Sequence, residues 1–221
     1  MKEKMFTYNG KRMKSWNLFT GCNFNCSYCW ARQLAETRLK ASYPNGFIPT
    51  THPDRFNRQF QPDDFVFPIS MGDIAFAPSV VVDCILLTAK KHPATNFLLC
   101  TKDPSIFHKV VFHQPNIYLG ATIETNRHYN LSKAPIPYVR ASAMRDITHP
   151  HKFIAIEPIM DFDIEFIRWL ARIQPSIIEV GADNYHNNLP EPNADKVNAL
   201  LDFLKDICPV VVEKQGLERL K

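Results

Sequence analysis

Long apolar runs are missing from this 221-residue sequence. A helix needs roughly 20 consecutive apolar residues to cross a bilayer, and no segment approaches that length. Residues 1–14 are basic and polar, without the apolar centre of a secretory signal. We therefore expect a cytoplasmic protein that has no membrane association.

Cysteine is also scarce, with six in the chain, and only three lie close together in sequence. That group is Cys22-Asn23-Phe24-Asn25-Cys26-Ser27-Tyr28-Cys29, whereas Cys84, Cys100 and Cys208 form no second pair. Zinc prefers four nitrogen or sulfur ligands, typically from two separated pairs, and a chain of this length can bury a core without disulfide bonds. A Cys3His zinc site with His52 as the fourth ligand stays open as an alternative.

The net charge is small, because 26 basic residues face 22 acidic ones, but it is unevenly distributed. Residues 1–60 hold 10 Lys or Arg and 3 Asp or Glu, so this part carries +7 and the remainder −3 of the total of +4. A basic end can attract a phosphate-bearing substrate or a nucleic acid. It can equally be a basic N-terminal arm, residues 1–14, that is only solvated.

Apolar, strand-like segments alternate with helix-like ones along the chain. The strands are predicted at 16–21, 65–70, 96–102, 116–124, 153–157 and 176–181, with a seventh at 209–213. The helices are predicted at 30–40, 78–91, 104–111, 136–147, 162–173 and 193–207. This alternation implies right-handed βαβ units around a parallel sheet, and the chain is shorter than the roughly 250 residues of a complete eightfold barrel. We therefore predict a single α/β domain, 1–221: a partial (β/α)6 TIM-like barrel of parallel strands with an additional C-terminal strand.

A long irregular loop is predicted at 42–64, where four prolines interrupt the chain. Three phenylalanines in the same stretch argue against disorder, because they give the loop something to bury. Loops of this length are often functional. His52, Asp54 and Arg55 are therefore either site residues or caps of surface turns.

Polar residues close most of the predicted strands. Because the carboxyl ends of parallel strands meet at one mouth of a barrel, ligands bind there. The candidates are Ser70, Asp73, Thr101, Lys102, Thr122, Glu124, Glu157, Asp183 and Asn184.

The cysteine spacing, x3 then x2 with Tyr28 directly before Cys29, resembles the signature of the radical S-adenosylmethionine (radical SAM) superfamily. Three thiolates from one short loop can hold three corners of a [4Fe-4S] cluster and leave one iron without a protein ligand. The resemblance implies that Cys22, Cys26 and Cys29 are the catalytic cluster ligands and that the open iron chelates S-adenosyl-L-methionine. One electron then cleaves this cofactor to a 5′-deoxyadenosyl radical, which abstracts hydrogen from an unknown substrate. An external electron donor of the flavodoxin or ferredoxin type is also implied.

The same resemblance implies cofactor contacts elsewhere. Ser70-Met71-Gly72-Asp73 stands where the superfamily usually has Gly-Gly-Glu, the segment that receives the cofactor's amino group. Thr122 or Glu124 matches the position that contacts the ribose hydroxyls, and Tyr28 stands where the main chain contacts adenine. Arg140 is placed to pair with the cofactor carboxylate, unless it is only a surface residue of its helix.

Glu157 should stand at the mouth, because it follows a strand and precedes a proline. There it is expected to bind ribose or a cationic substrate group, or to form an internal ion pair with Lys102. Lys214, like Glu157, directly follows a predicted strand, but the sequence pattern of that strand is weaker. Cys100 is interpreted as a core residue.

A narrower resemblance links the segments 97–102, 118–124, 156–160 and 189–192 to a small branch of radical SAM proteins. That branch is loosely similar to spore photoproduct lyase, which repairs a DNA lesion. Two alternatives follow: a nucleic-acid repair enzyme of the lyase type, and a non-catalytic iron–sulfur or zinc module.

Overall fold

The computed structural model describes residues 7–8 and 11–221. A turn predicted at Asn9-Gly10 lies outside the described residues. In chain order, the described strands are β1 (Thr7–Tyr8), β2 (Lys11–Arg12), β3 (Lys14–Ser15), β4 (Phe19–Thr20), β5 (Thr50–Thr51), β6 (Phe65–Phe67), β7 (Asn96–Thr101), β8 (Ile117–Thr122), β9 (Lys152–Ile156), β10 (Ile177–Val180) and β11 (Val210–Glu213). The α-helices of the same part are α1 (Trp30–Glu36), α2 (Ser79–Lys91), α3 (Pro137–Asp146), α4 (Ile164–Ile173) and α5 (Ala194–Ile207).

The main sheet contains seven of these described strands in the order β3-β6-β7-β8-β9-β10-β11, and all neighbours run parallel. Each new strand is added beside the preceding one, as successive right-handed βα units produce. The sheet curls into a half-barrel with helices between its strands. This confirms the predicted partial (β/α)6 barrel, and β11 is the additional C-terminal strand.

The helices cover the outer face of the half-barrel with their apolar sides. In α2, Val81, Ile85 and Ala89 are one turn apart and fully buried. Lys90 and Lys91 occupy the last turn, where the helix dipole favours cations. None of the helices in the described ranges is both long and apolar enough to span a bilayer.

Alternation along β7 separates the two faces of the sheet. Phe97 and Leu99 belong to the main core under the helices, whereas Leu98 lies on the inner face. On the inner face it packs with large side chains near the starts of the neighbouring strands, namely Phe65, Tyr118, Phe153 and Ile177. This apolar floor fills the amino-terminal end of the half-barrel and leaves the opposite end, the mouth, to polar groups.

The first barrel strand differs from the predicted strand at 16–21. The strand in the sheet is β3, and Asn17 then adopts a φ of 53°, which ends the extended run. The Asn17 side chain accepts hydrogen bonds from Met71 N at 2.9 Å and from Ser70 Oγ at 3.1 Å. The chain continues as β4, which pairs antiparallel with β5 outside the main sheet. The apolar pattern of this segment reflects burial and not pairing within the barrel.

The stretch 42–64 is irregular for most of its length, but it contributes β5 and a 3-10 helix at Pro53–Arg55. Phe47 and Phe60 are buried, and the Phe60 ring lies 5.3 Å from that of Trp16. The loop is therefore packed on the core.

Candidate functional site

The cysteine loop, residues 22–29, joins β4 to α1. Cys26 is buried, and Cys22 and Cys29 are partly buried. All three pack in one apolar cluster with Phe24 and Tyr28. The structure therefore brings together the three cysteines that the spacing singled out.

Main-chain amides point at two of the three sulfur atoms. Phe24 N donates to Cys22 Sγ and Arg32 N donates to Cys29 Sγ, each at 3.4 Å. Hydrogen bonds of this kind tune an iron–sulfur cluster held by thiolates. Each thiolate of a [4Fe-4S] cluster binds a different iron, so the cysteines must surround a common volume without meeting at a point.

The environment of the loop keeps the thiols of Cys22 and Cys29 protonated when no metal is bound. Burial, reinforced by the nearby Asp73, raises the pKa of Cys22 to about 12, and burial also raises the pKa of Cys29. A bound metal centre reverses this, because a coordinating thiol loses its proton.

A single-ion site finds no support in the described ranges, because no three His, Cys, Asp or Glu side chains there converge on one metal. His52 Nε2 lies 2.8 Å from Thr20 Oγ1. The Cys3His zinc alternative that used His52 therefore gains nothing from the structure.

Two distant segments hold the cysteine loop in place. After β8, Leu131 O accepts from Ser27 N at 2.9 Å, and the Cys26 thiol donates to Ser132 Oγ at 3.2 Å. After β10, segment 183–192 crosses the mouth. Its Asn187 Oδ1 accepts from Gln33 Nε2 of α1 at 3.2 Å, and its Leu189 packs on the cysteine cluster.

Glu124, just beyond β8, is fully buried and accepts hydrogen bonds from three side chains. The Tyr28 hydroxyl donates to Oε1 at 2.6 Å, Arg140 Nη1 donates to Oε2 at 2.7 Å, and Lys102 Nζ also donates to Oε1. Burial alone would raise the pKa of Glu124, but Arg140 and Lys102 hold it well below its usual range. These four residues form the Glu124 network, which ties the cysteine loop to the ends of β7 and β8.

This network revises two interpretations made from the sequence. Lys102 pairs with Glu124, so the expected Lys102–Glu157 pair is wrong. Arg140 is 5% exposed, so it is not a surface residue of its helix. Tyr28, Glu124 and Arg140 line one cleft, and their contacts to a cofactor stay predictions.

Tyr28→Phe is expected to loosen the cysteine loop, because the hydroxyl contacts to Glu124 and Lys102 are lost while the ring remains. A hydrogen bond to a charged group contributes about 1.5–3 kcal/mol, and we expect a decrease of that size in the unfolding free energy from urea titration. Tyr138→Phe is the matched control, because Tyr138 is 57% exposed. Equal effects of the two substitutions would contradict the proposed role of the network.

Residues 70–73, predicted to receive the cofactor's amino group, follow β6. The Asp73 carboxylate is buried and accepts from Thr101 Oγ1 at 2.5 Å and from the amides of Ala75 and Lys102 at 2.9 Å. Burial raises the pKa of Asp73, although these donors oppose the change. The carboxylate therefore fixes the turn after β6, and its contact with a cofactor stays a prediction.

A parallel bridge between Gly21 and Gly72 brings the cysteine loop to this turn. Gly21 has a φ of +90°, and a Cβ there would lie 2.2 Å from Ile48 O. A Cβ on Gly72 would lie 2.8 Å from Gly21 O. Glycine is required at both positions because three chain segments approach each other closely.

A second charged group lies inside the half-barrel, beside β9, β10 and β11. Lys214 Nζ donates to Glu157 Oε2 and lies 3.9 Å from Glu179 Oε2. Glu179 is 8% exposed, and its Oε2 is buried with no hydrogen-bond partner in the described part of the chain. Glu157, Glu179 and Lys214 are called the interior triad below.

Sequence reasoning missed Glu179, because it considered only the residues that close each strand. One signal was available: Glu179 is the one charged residue in the apolar segment 176–181. Alternation then places it on the same face as Gly181, toward the mouth.

Glu179 should make stability depend on pH. Burial, with a contribution from Glu157, raises its pKa from 4.5 to about 7 in spite of Lys214. Its contribution is therefore fully present below the unfolded pKa and is lost as pH rises through about 7, a change of up to about 3 kcal/mol. Urea titrations should show this decline in wild type and a flatter profile in Glu179→Gln. A profile unchanged by Glu179→Gln would refute the assignment, and exposed Glu165→Gln is the control.

The candidates in the long loop have structural partners. Arg55 Nη1 donates to Asn17 O at 2.9 Å, and Arg55 O accepts from Trp16 Nε1 at 2.7 Å. The Asp54 side chain is 78% exposed. Arg55 therefore fastens the loop, whereas the 3-10 helix at Pro53–Arg55 has no side-chain capping hydrogen bond from its N-cap residue His52.

Residues 11–200 match a protein-family model described as "Protein of unknown function (DUF5131)". The chain belongs to this family. No curated protein matches the DUF5131 chain.

Solved structures do match the DUF5131 chain in fold. A spore photoproduct lyase point mutant with dinucleoside spore photoproduct is 12% identical, with a TM-score of 0.65 over 90% of this chain and 75% of that chain. A double mutant of the lyase with bound AdoMet and the same dinucleoside is 12% identical, with a TM-score of 0.63 over 91% and 76%. A radical SAM methyltransferase from Sphaerobacter thermophilus is 12% identical, with a TM-score of 0.52 over 97% and 70%. The DUF5131 chain thus has the radical SAM fold, which confirms the resemblance at that level.

Proposed function

We propose that the chain is a radical SAM enzyme. The observation that carries the proposal is the cysteine loop, in which Cys22, Cys26 and Cys29 pack together at one end of a half-barrel with the radical SAM fold. In the proposal these thiolates hold one [4Fe-4S] cluster. The remaining cysteines are scattered in sequence, so a second cluster is not proposed.

The cluster with S-adenosyl-L-methionine would supply one-electron cleavage of the cofactor to a 5′-deoxyadenosyl radical, which abstracts hydrogen from a substrate. The chain's own part is to bind and orient these groups and to exclude water from them. Main-chain donors to Cys22 Sγ and Cys29 Sγ support the thiolate forms that the cluster needs.

The groups proposed to bind the cofactor line the mouth. Arg140 fits a carboxylate, because its buried Nε has no hydrogen-bond partner in the described ranges. Thr122 is half-buried and suits a ribose hydroxyl better than Glu124, whose oxygens already accept three hydrogen bonds. The main chain of residues 70–73 is proposed for the amino group, and the main chain at Tyr28 for adenine.

An external donor of the flavodoxin or ferredoxin type would deliver the electron. The reducing cytoplasm suits such an oxygen-sensitive centre and keeps its thiols available. Glu157 is assigned to the substrate side of the mouth, because it belongs to the interior triad.

Anaerobic reconstitution with iron and sulfide tests the proposal. Wild-type protein should turn brown and, with dithionite and S-adenosylmethionine, should release 5′-deoxyadenosine detectable by liquid chromatography. The same sample without dithionite is the control and should release none. Binding of zinc with no iron–sulfur absorption would refute the central assignment.

The fold does not choose the substrate, because related folds host different reactions. Lesion repair of the lyase type predicts DNA binding that weakens as salt increases. Affinity that stays constant between low and moderate salt would remove that alternative.

A further inference from the structure

The interior triad holds more acid than its own base can neutralise. Glu157 and Glu179 share one cation, Lys214. Lys214 donates to Glu157 and stays 3.9 Å from Glu179, so Glu179 Oε2 is buried without a hydrogen-bond donor among the described residues. Buried carboxylates are normally paired and hydrogen-bonded. One positively charged donor is missing from this layer.

A ligand can supply the missing donor from the inner face of the sheet, at the level of Glu179. Strand register places Glu179 on one level with Val212 and Ala155, and Ala155 on one level with Thr122. Ala155, the residue between Glu179 and Thr122 at this level, has only a small side chain. Thr122 Oγ1 lies 3.9 Å from Cys100 Sγ, and both residues are only partly buried.

Glu179 also acts electrostatically on Cys100, because burial and the negative charge of Glu179 together raise the pKa of Cys100 to about 12. Lys102 directly follows β7 and lies two residues after Cys100. Lys102 belongs to the Glu124 network, which holds Tyr28 of the cysteine loop.

The two sides of the mouth therefore differ in the sign of their excess charge. In the Glu124 network two cations, Lys102 and Arg140, surround one carboxylate. In the interior triad one cation lies between two carboxylates. A ligand that spans the mouth would place its negative end near the cysteine loop and its positive end at Glu179.

We propose that Glu179, assisted by Glu157, binds a positively charged nitrogen group of the substrate, an ammonium or a guanidinium, in competition with the internal cation Lys214. An internal ion pair with a purely structural role would have satisfied both carboxylates, and this one leaves Glu179 Oε2 without a donor among the described residues. The term substrate rests on the proposed radical SAM function. The binding site itself needs no cluster.

The test compares two cationic ligands with a neutral one of similar chain length. The full chain is titrated with n-butylammonium, propylguanidinium and neutral 1-butanol, and binding is followed by NMR chemical shifts. Wild type should bind the two cations about tenfold more tightly than the alcohol. Glu179→Gln should remove most of that preference, whereas Lys214→Met should increase it, because the competing internal cation is gone.

Two surface substitutions serve as matched controls, Glu165→Gln and Lys205→Met, since both side chains are exposed in i,i+3 pairs. Circular dichroism confirms that each variant is folded. The opposite signs expected for Glu179→Gln and Lys214→Met cannot arise from a general loss of structure.

Three results would overturn the inference: equal affinity for the cations and the alcohol, no measurable binding of either cation, or a preference that survives Glu179→Gln. The outcome is separate from that of the proposed function. Cation binding without 5′-deoxyadenosine release would refute the proposed radical chemistry and support the cation site. Release of 5′-deoxyadenosine without a preference for cations would refute the cation site and support the radical chemistry.

Discussion

Cys26→Ala is expected to abolish both the iron–sulfur absorption and the release of 5′-deoxyadenosine. A cluster with one open iron is held by only three thiolates, so the loss of one removes a third of its protein ligands. Cys26 is the buried member of the three, and no fourth cysteine lies near the loop in sequence to replace it. We expect both signals to fall to background in anaerobically reconstituted protein.

Cys84→Ala is the control for this experiment. Cys84 lies on α2, is partly buried, and makes a long contact of 3.8 Å to Phe56 O. Iron content, absorption and cofactor cleavage should match wild type. If Cys26→Ala retains either signal, the loop is not the cluster site.

Glu124→Gln is expected to destabilise the fold more than any other substitution considered for this chain. It leaves Lys102 and Arg140 buried without their counter-charge, and removing one partner of a buried ion pair costs about 3–5 kcal/mol. The low pKa of Glu124 means that its own contribution is present above the ordinary pKa of a glutamate and is lost only in strong acid. Urea titration at neutral pH measures the loss.

Glu165→Gln is the matched control, because Glu165 pairs with Arg168 on the exposed side of α4. Exposed pairs of this kind contribute about 0.2–1 kcal/mol. A loss from Glu124→Gln as small as that of the control would show that the network is not important for stability.

The sequence predicted the later strands well, because their apolar runs are long and buried on both faces. The predicted segment 116–124 contains β8, and 153–157 contains most of β9. The additional strand at 209–213 was found from its apolar run alone, since β11 is only partly buried. The apolar pattern along the sequence is therefore enough to locate these strands, and no knowledge of distant contacts is needed.

The first strand was predicted at the wrong residues, because an apolar run is typical both of a strand in the sheet and of a segment that is buried without pairing. Trp16 and Leu18 are buried in the core, but the positive φ of Asn17 between them breaks the strand. Nothing local requires that angle. It depends on the hydrogen bonds that the Asn17 side chain accepts from residues 70 and 71.

Site residues were found more easily than their partners. Their positions at the carboxyl ends of the predicted strands placed Lys102, Glu124, Glu157 and Lys214 at the mouth, but position alone cannot say which neighbour each one reaches. That choice depends on side-chain length across the sheet and led to the wrong Lys102–Glu157 pair. The cysteine spacing needed no such information, because its ligands lie within eight residues of sequence.

The contacts that fix the cysteine loop come from much later in the chain. The Tyr28–Glu124 hydrogen bond spans 96 residues, Cys26–Ser132 spans 106, and Gln33–Asn187 spans 154. During synthesis the cysteines therefore leave the ribosome long before the structure that encloses them exists, and contacts of such separation form slowly. Under the proposed function, the cluster is therefore expected to be loaded only after residue 187 has been synthesised.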